Sequence, residues 1–154
     1  MKNLLYTLQA AILVFFVACA TDKKENPILK EAGTIHNEAH EMGEGVEAQF
    51  TAVDSLSALL AAKKMPAADS LVASMAAVKQ SFEAWEGNIV TVPGMKHNHD
   101  HAEGDKAHAH DEHKPAPDVT PEQMLDIQKE MKLSIKKIKS DLETARAAAA
   151  ALLK

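Results

Sequence analysis

The histidines of this chain are concentrated in one short segment. Six of the eight lie within seventeen residues, in the runs HNHDH and HAHDEH, at His97, His99, His101, His108, His110 and His113. Neutral imidazole is a ligand suited to Zn, Cu(II) and Ni(II), and alternate residues of an extended segment point the same way. Each run can therefore offer two or three nitrogens to one ion, and the sequence predicts a divalent transition-metal site here.

Carboxylates alternate with these histidines, at Asp100, Glu103, Asp105, Asp111 and Glu112. They lower the cost of bringing in a dication and could act as weak ligands. Because a segment without preset geometry must be ordered on binding, we expect metal buffering or capture with loose selectivity. Two alternatives stay open, namely a hydrophilic linker that binds metal only adventitiously and a pH-responsive loop whose charge rises when its imidazoles are protonated.

A second histidine pair, His36 and His40, is spaced four residues apart, so both rings lie on one face of a helix. This HxxxH spacing can chelate one ion, and Glu44 follows one turn later. We expect the pair on an exposed flank beside the apolar stripe of its helix, where histidines are more often ordinary surface residues. Its predicted place, at the end of the bundle from which the His-rich segment departs, favours one metal site shared by pair and segment.

No catalytic motif accompanies the histidines. The sequence shows no glycine-rich phosphate loop, no HExxH and no Ser-His-Asp arrangement, so we predict that the protein is not an enzyme. Cys19 is the only cysteine, which leaves no thiol pair for a disulfide or a CxxC motif. The formal net charge of −5 argues against nucleic acid as a partner.

The N-terminal residues predict export and lipid anchoring. Lys2 is followed by the apolar run LLYTLQAAILVFFVA, which is too short for a comfortable membrane span and is typical of a signal peptide. The residues FVAC resemble the lipobox of bacterial lipoproteins, which implies a signal peptide over residues 1–18 and a lipid on Cys19. Residues 19–26 would then tether the protein to the cell envelope, with the outer membrane favoured, on its periplasmic side or at the surface.

Apolar periodicity predicts an all-α fold. Apolar or small residues alternate steps of four and three over residues 27–64, 66–86 and 120–153, with Gln49 as the interruption in the first stretch. Thr120 and Gln123 have the spacing of a capping box. We expect a three-helix bundle, made of an antiparallel helical hairpin over residues 27–92, a long disordered His-rich loop over 93–119 and a third, returning helix over 120–154.

Two further expectations concern packing. Gly43 and Gly45 are costly within a helix, and we expect them to make room for the indole ring of Trp85. If the third helix runs parallel to the first, its lysines lie level with acidic residues of the first helix and favour that register. The lysines are Lys132, Lys136, Lys137 and Lys139, and the acidic residues are Glu41, Glu44 and Glu47.

Three stretches carry a family resemblance, namely IHNEAHEMGEG, SFEAWEGNIVTVPG and TPEQMLDIQKEMKLSIKKIKSDLETA. They are similar to stretches of small lipoproteins of Bacteroidetes that are often labelled "viral A-type inclusion protein" by automatic transfer and that carry no established activity. The resemblance implies an envelope-anchored helical protein. The His-rich run also resembles loops of periplasmic zinc-binding transport proteins, but their folded binding domain is absent from this sequence.

These observations lead to two hypotheses. The first is a lipid-anchored envelope protein that binds Zn or another divalent transition metal, as a buffer or as a donor to a metal transporter. The second is a non-enzymatic interaction lipoprotein whose coiled-coil-like helices dock on another helical protein, the histidines being incidental. Self-association through the Ala-rich helices is left open by both.

Overall fold

The protein forms a helical bundle in a computed structural model that describes residues 26–95 and 114–154. Within these residues the helices are α1 (Pro27–Glu47), α2 (Phe50–Ala61), α3 (Pro66–Glu86) and α4 (Pro121–Leu152). The predicted all-α bundle of three helical arms is confirmed, with α1 and α2 together forming the first arm. No helix in the described part of the chain is long and apolar enough to cross a membrane.

Two of the four described helices, α1 and α4, begin where the sequence supplies a side-chain cap. The side chain of Asn26 accepts a hydrogen bond from the Ile28 amide at 2.9 Å, and Pro27 takes the first turn of α1. At the start of α4, Thr120 Oγ1 accepts from the Gln123 amide at 3.3 Å, and Gln123 Oε1 accepts from the Thr120 amide at 2.9 Å. The predicted capping box is confirmed.

The first arm is interrupted between α1 and α2, so the prediction of one continuous helix over residues 27–64 is wrong at this point. In an unbroken helix the Gly45 carbonyl would accept from the Gln49 amide. It accepts instead from the Gln49 side chain, Nε2 to O at 2.8 Å, and the Gln49 amide turns to the Val46 carbonyl at 3.0 Å. Competition of a side-chain amide with the backbone therefore accounts for the interruption.

The main core fills the bundle along α1–α2, α3 and α4. Its large side chains include Val46, Phe50, Val53, Leu60, Met75, Val78, Phe82, Trp85, Ile135, Ile138 and Leu142. The Phe82 ring packs edge-on against Phe50, with centroids 5.1 Å apart, and the Trp85 Nε1–H donates to the Met131 carbonyl at 3.0 Å. The repeating apolar pattern of the sequence therefore corresponds to one continuous core.

Gly43 and Gly45 play different parts in this packing. A Cβ built on Gly43 would lie 2.7 Å from the Trp85 ring, which confirms that this glycine makes room for the indole. A Cβ built on Gly45 would meet nothing within 4 Å, so the same prediction is wrong for Gly45.

Helix α4 runs parallel to α1, because its contacts advance together along both helices. His36 pairs with Gln128, and further along the bundle Gln49 pairs with Arg146. Lys132 forms an ion pair with Glu38, one turn before the predicted Glu41, and Lys137 pairs with Asp141 within its own helix. The parallel direction is as expected, and the register is displaced by about one helical turn.

A second, smaller cluster closes the end of the bundle where α3 stops. Ala32, Val92 and Met124 are its buried members, and the half-buried side chains of Leu29, Met95, Ala116, Val119 and Leu125 pack against them. We call these eight residues the loop-base cluster. Three of them, Met95, Ala116 and Val119, belong to the stretch predicted as disordered, and the described ends of that stretch differ from the prediction because their apolar side chains cover the exposed end of the core.

Candidate functional site

The two chain segments that flank the His-rich run are paired at the end of the bundle where α3 stops. Val90 and Lys114 form a parallel β-bridge, in which the Thr91 amide donates to the Lys114 carbonyl at 3.1 Å and the Lys114 amide donates to the Ile89 carbonyl at 3.0 Å. The Lys114 ammonium also donates to Asn88 Oδ1 at 2.8 Å. The two described residues that bound the run, Met95 and Lys114, therefore belong to segments that lie side by side at Val90–Lys114.

The predicted ligands of the run itself lie outside the described residues. These are His97, His99, His101, His108, His110 and His113, and the lipidation site Cys19 also lies outside. Their roles stay predictions. Among residues 26–95 and 114–154, no group of three or more His, Cys, Asp or Glu side chains is placed to hold a metal ion.

His36 is buried, which corrects the expectation that it lies on an exposed flank. The residue is only 4 % exposed, and its Nδ1 lies 3.2 Å from Gln128 Oε1 of α4. The apolar residues at steps of four and three form a narrow stripe on each helix, which we call the seam. The buried face of α1 is wider than its seam, because Gly33, His36 and Gly43 are also covered. A histidine next to the seam therefore comes under α4.

Gln128 fixes the orientation of the His36 ring. It is 1 % exposed, and its Nε2 donates to the Val90 carbonyl at 3.1 Å, so its Oε1 is the atom that faces the imidazole. An amide oxygen can only accept, so the His36 Nδ1 carries the hydrogen. In the neutral ring the lone pair is then on Nε2.

The Gln128 amide thus connects three elements of the site. It joins His36 on α1 to the backbone of Val90, and Val90 is the residue that pairs with Lys114 at the base of the His-rich run. A buried imidazole held by a second hydrogen-bonded group is the arrangement that orients metal-binding histidines in proteins.

His40 has a different environment from His36. Its side chain is 26 % exposed, and its Nδ1 lies 3.3 Å from Glu44 Oε1, one turn further along α1. The HxxxH pair is therefore one buried, oriented imidazole and one half-exposed imidazole beside a carboxylate. The two rings are not equivalent surface ligands.

Met95, the last described residue before the His-rich run, packs on α1 close to this pair. A Cβ built on Gly33, one turn before His36, would lie 3.0 Å from the sulfur of Met95, the last described residue before the run. The absence of a side chain at Gly33 lets the departing chain pack closely on α1. The geometry therefore brings the base of the run and the histidine pair to the same end of the bundle.

Gln128 is the site residue that the sequence analysis missed. It lies four residues after Met124 and three before Met131, which is a seam position of α4. A polar side chain at a seam position, level with a histidine on the neighbouring helix, was the signal that could have found it.

Comparisons with protein families, curated proteins and solved structures found no match to this chain.

Proposed function

We propose that this chain is a lipid-anchored protein of the cell envelope that binds divalent transition metal through its His-rich segment, as a buffer or a donor. The observation that carries the proposal is the density of imidazoles, six within seventeen residues and interleaved with five carboxylates. Several neutral nitrogens within reach of one dication are what zinc, copper(II) and nickel require.

The paired base of the segment supports this proposal. Residues 96–113 are bounded by Met95 and Lys114, and the Val90–Lys114 bridge holds the chain together at that point. Part of the entropy cost of bringing HNHDH and HAHDEH to one ion is therefore met by the folding of the bundle, before any metal binds. A free peptide of the same sequence would have to meet that cost on binding and would bind more weakly.

The pair on α1 supports a shared site. Gln128 fixes the orientation of the His36 ring, and Glu44 stands beside the half-exposed His40. An oriented imidazole added to the ligands of the segment raises affinity because its geometry is set in advance.

The direction of the chain supports donation to a membrane transporter. Leu29, at the start of α1, packs in the same cluster as Met95 and Val119, so the chain enters the bundle at the end that carries the base of the His-rich segment. A lipid on Cys19 would be joined to Asn26 by a tether that spans at most about 25 Å when fully extended. The segment would then face the membrane that holds the anchor.

The proposal is tested by zinc titration of the full chain in competition with a chromophoric chelator. We expect submicromolar binding that is lost when the six segment histidines are replaced by Asn. A matched control replaces the five interleaved carboxylates by Asn and Gln, and it should weaken binding only modestly. Equal, weak binding by all three proteins would contradict the proposal.

The same titration tests the contribution of the histidine pair. His40→Asn should weaken binding several-fold while the segment ligands stay in place, and Asn37→Ala, on a neighbouring exposed position, should leave it unchanged. Unaltered affinity in His40→Asn would limit the site to the segment. Binding should also weaken at acidic pH, because protonated imidazole cannot bind a metal.

A further inference from the structure

The outward side of α4 carries a cationic face with an apolar centre. Leu133 is 59 % exposed, and Lys129, Lys136 and Lys137 lie three or four residues from it, as neighbours on the helix surface. Residues 129–139 contain five lysines and one glutamate, in a chain whose net charge is −5. We call Lys129, Leu133, Lys136 and Lys137 the lysine face.

The outward side of α1 carries an acidic face that includes an exposed glycine. Gly45 is exposed, and a Cβ built on it would meet nothing within 4 Å, so no packing within the bundle requires a glycine there. The hydrogen bond that its carbonyl accepts from Gln49 could be accepted by any residue. Glu38 and Glu41 lie seven and four residues earlier on the same side of the helix. We call Glu38, Glu41 and Gly45 the acidic face.

We propose that the lysine face of one copy of this chain docks on the acidic face of another, with Leu133 seated at Gly45. The charges of the two faces are complementary, and the exposed leucine among lysines is matched with a position that has no side chain beside glutamates. Within one chain, Glu38 already forms an ion pair with Lys132, and Lys137 already forms one with Asp141. Lys129, Lys136 and Glu41, all exposed, therefore carry the electrostatic part of the contact.

The contact is weak in dilute solution and effective on a membrane. Exposed ion pairs contribute little and are screened by salt, and one leucine buries a small apolar area. Tethering copies to one surface raises their effective concentration, so a weak contact suffices there. The tether belongs to the proposed lipid anchor, whereas the contact itself does not depend on metal binding.

The test is disulfide cross-linking of two differently tagged full-length copies in the envelope, with a chelator present to exclude metal. One copy carries Leu133→Cys and the other carries Gly45→Cys. The control pairs Leu133→Cys with Ser74→Cys, an exposed position on α3. Copies without a new cysteine give the background from Cys19. We expect a several-fold higher yield of the mixed dimer from the first pair, and a yield no higher than that of the control overturns the proposal.

Charge reversal separates specific docking from random collision. Lys136→Glu should lower the cross-linking yield several-fold, and Glu41→Lys in the partner copy should restore it. If Lys136→Glu leaves the yield unchanged but reduces cosedimentation with vesicles rich in phosphatidylglycerol, the lysine face binds lipid and the proposal is wrong. Equal helical circular dichroism of the variants excludes misfolding as the cause of a lost cross-link.

Discussion

The main core and the loop-base cluster are built on different principles. The main core is apolar throughout, repeats along α1–α2, α3 and α4, and is centred on the packed rings of Phe50, Phe82 and Trp85. The loop-base cluster has only three fully buried members, and it borders the buried polar contact between His36 and Gln128. Stability is therefore concentrated in one region and the positioning of the candidate site in the other.

The difference has a physical consequence for specificity. Apolar packing tolerates small shifts, whereas a buried amide must satisfy both of its ends or lose stability. Gln128 does so by joining His36 to the carbonyl of Val90, the residue that forms the bridge with Lys114. Because both ends of the Gln128 amide are hydrogen-bonded, its burial costs little stability. The contact therefore favours one defined arrangement of α1, α4 and the Val90 backbone.

The largest expected effect lies in the main core. Trp85→Ala removes the indole that fills the space above Gly43 and the hydrogen bond to Met131, and it should lower the free energy of unfolding by about 3 to 5 kcal/mol. Urea unfolding followed by circular dichroism measures the change. Leu133→Ala, at an exposed position, is the control and should change stability by less than about 0.5 kcal/mol. Similar losses in both variants would contradict the assignment of the core.

The second effect tests the polar contact beside the loop-base cluster. Gln128→Ala leaves the His36 Nδ1 and the Val90 carbonyl without this partner and should cost about 2 to 3 kcal/mol. Hydrogen exchange of the Thr91 and Lys114 amides should accelerate, because the bridge is no longer held against α4.

The control for that variant is Gln80→Ala, which removes an exposed glutamine of α3. It should change neither the stability nor the exchange of the two amides. Unchanged amide exchange in Gln128→Ala would show that the β-bridge is independent of the buried contact.

The two glycines of α1 should respond in opposite directions to the same substitution. Gly43→Ala places a methyl group 2.7 Å from the Trp85 ring and should destabilise the protein by about 1 to 3 kcal/mol. Gly45→Ala meets nothing and should stabilise it by about 0.5 to 1 kcal/mol, because alanine favours the helix. Thermal unfolding of both variants compares them directly, and changes of the same sign would contradict the packing described for Trp85.

The smallest effect concerns the start of α4, which begins beside the loop-base cluster. Thr120→Ala removes the hydroxyl that accepts from the Gln123 amide and should cost about 1 kcal/mol. Thr144→Ala is matched to it, because that hydroxyl donates to the Ser140 carbonyl within the exposed helix surface. The loss of stability in chemical denaturation should be confined to Thr120→Ala. An equal loss in Thr144→Ala would mean that the capping box contributes nothing of its own.

The main core and the loop-base cluster also differ in how far the sequence predicts them. The main core, the capping box at Thr120 and the close approach at Gly43 follow from apolar spacing and local residue chemistry, and the structure has all three. The loop-base cluster joins apolar residues from α1, α4 and two stretches without periodicity, so apolar spacing along a single helix does not mark it.

The break of the first arm and the burial of His36, which the sequence did not predict, have the same origin. The break of the first arm arises because the Gln49 side chain takes a carbonyl from the backbone, and the burial of His36 arises because α4 covers more of α1 than the seam. Both depend on hydrogen bonds and contacts that become defined only when the helices pack. The roles of Cys19 and of the histidines between Met95 and Lys114 stay predictions from the sequence.

Metal analysis of untagged protein purified from its native envelope tests the central claim most directly. We predict that the protein carries zinc, copper or nickel, and that this metal is lost when the six segment histidines are replaced by Asn. A native protein that contains none of these metals, and takes up none when they are supplied in trace amounts, would contradict the proposed function.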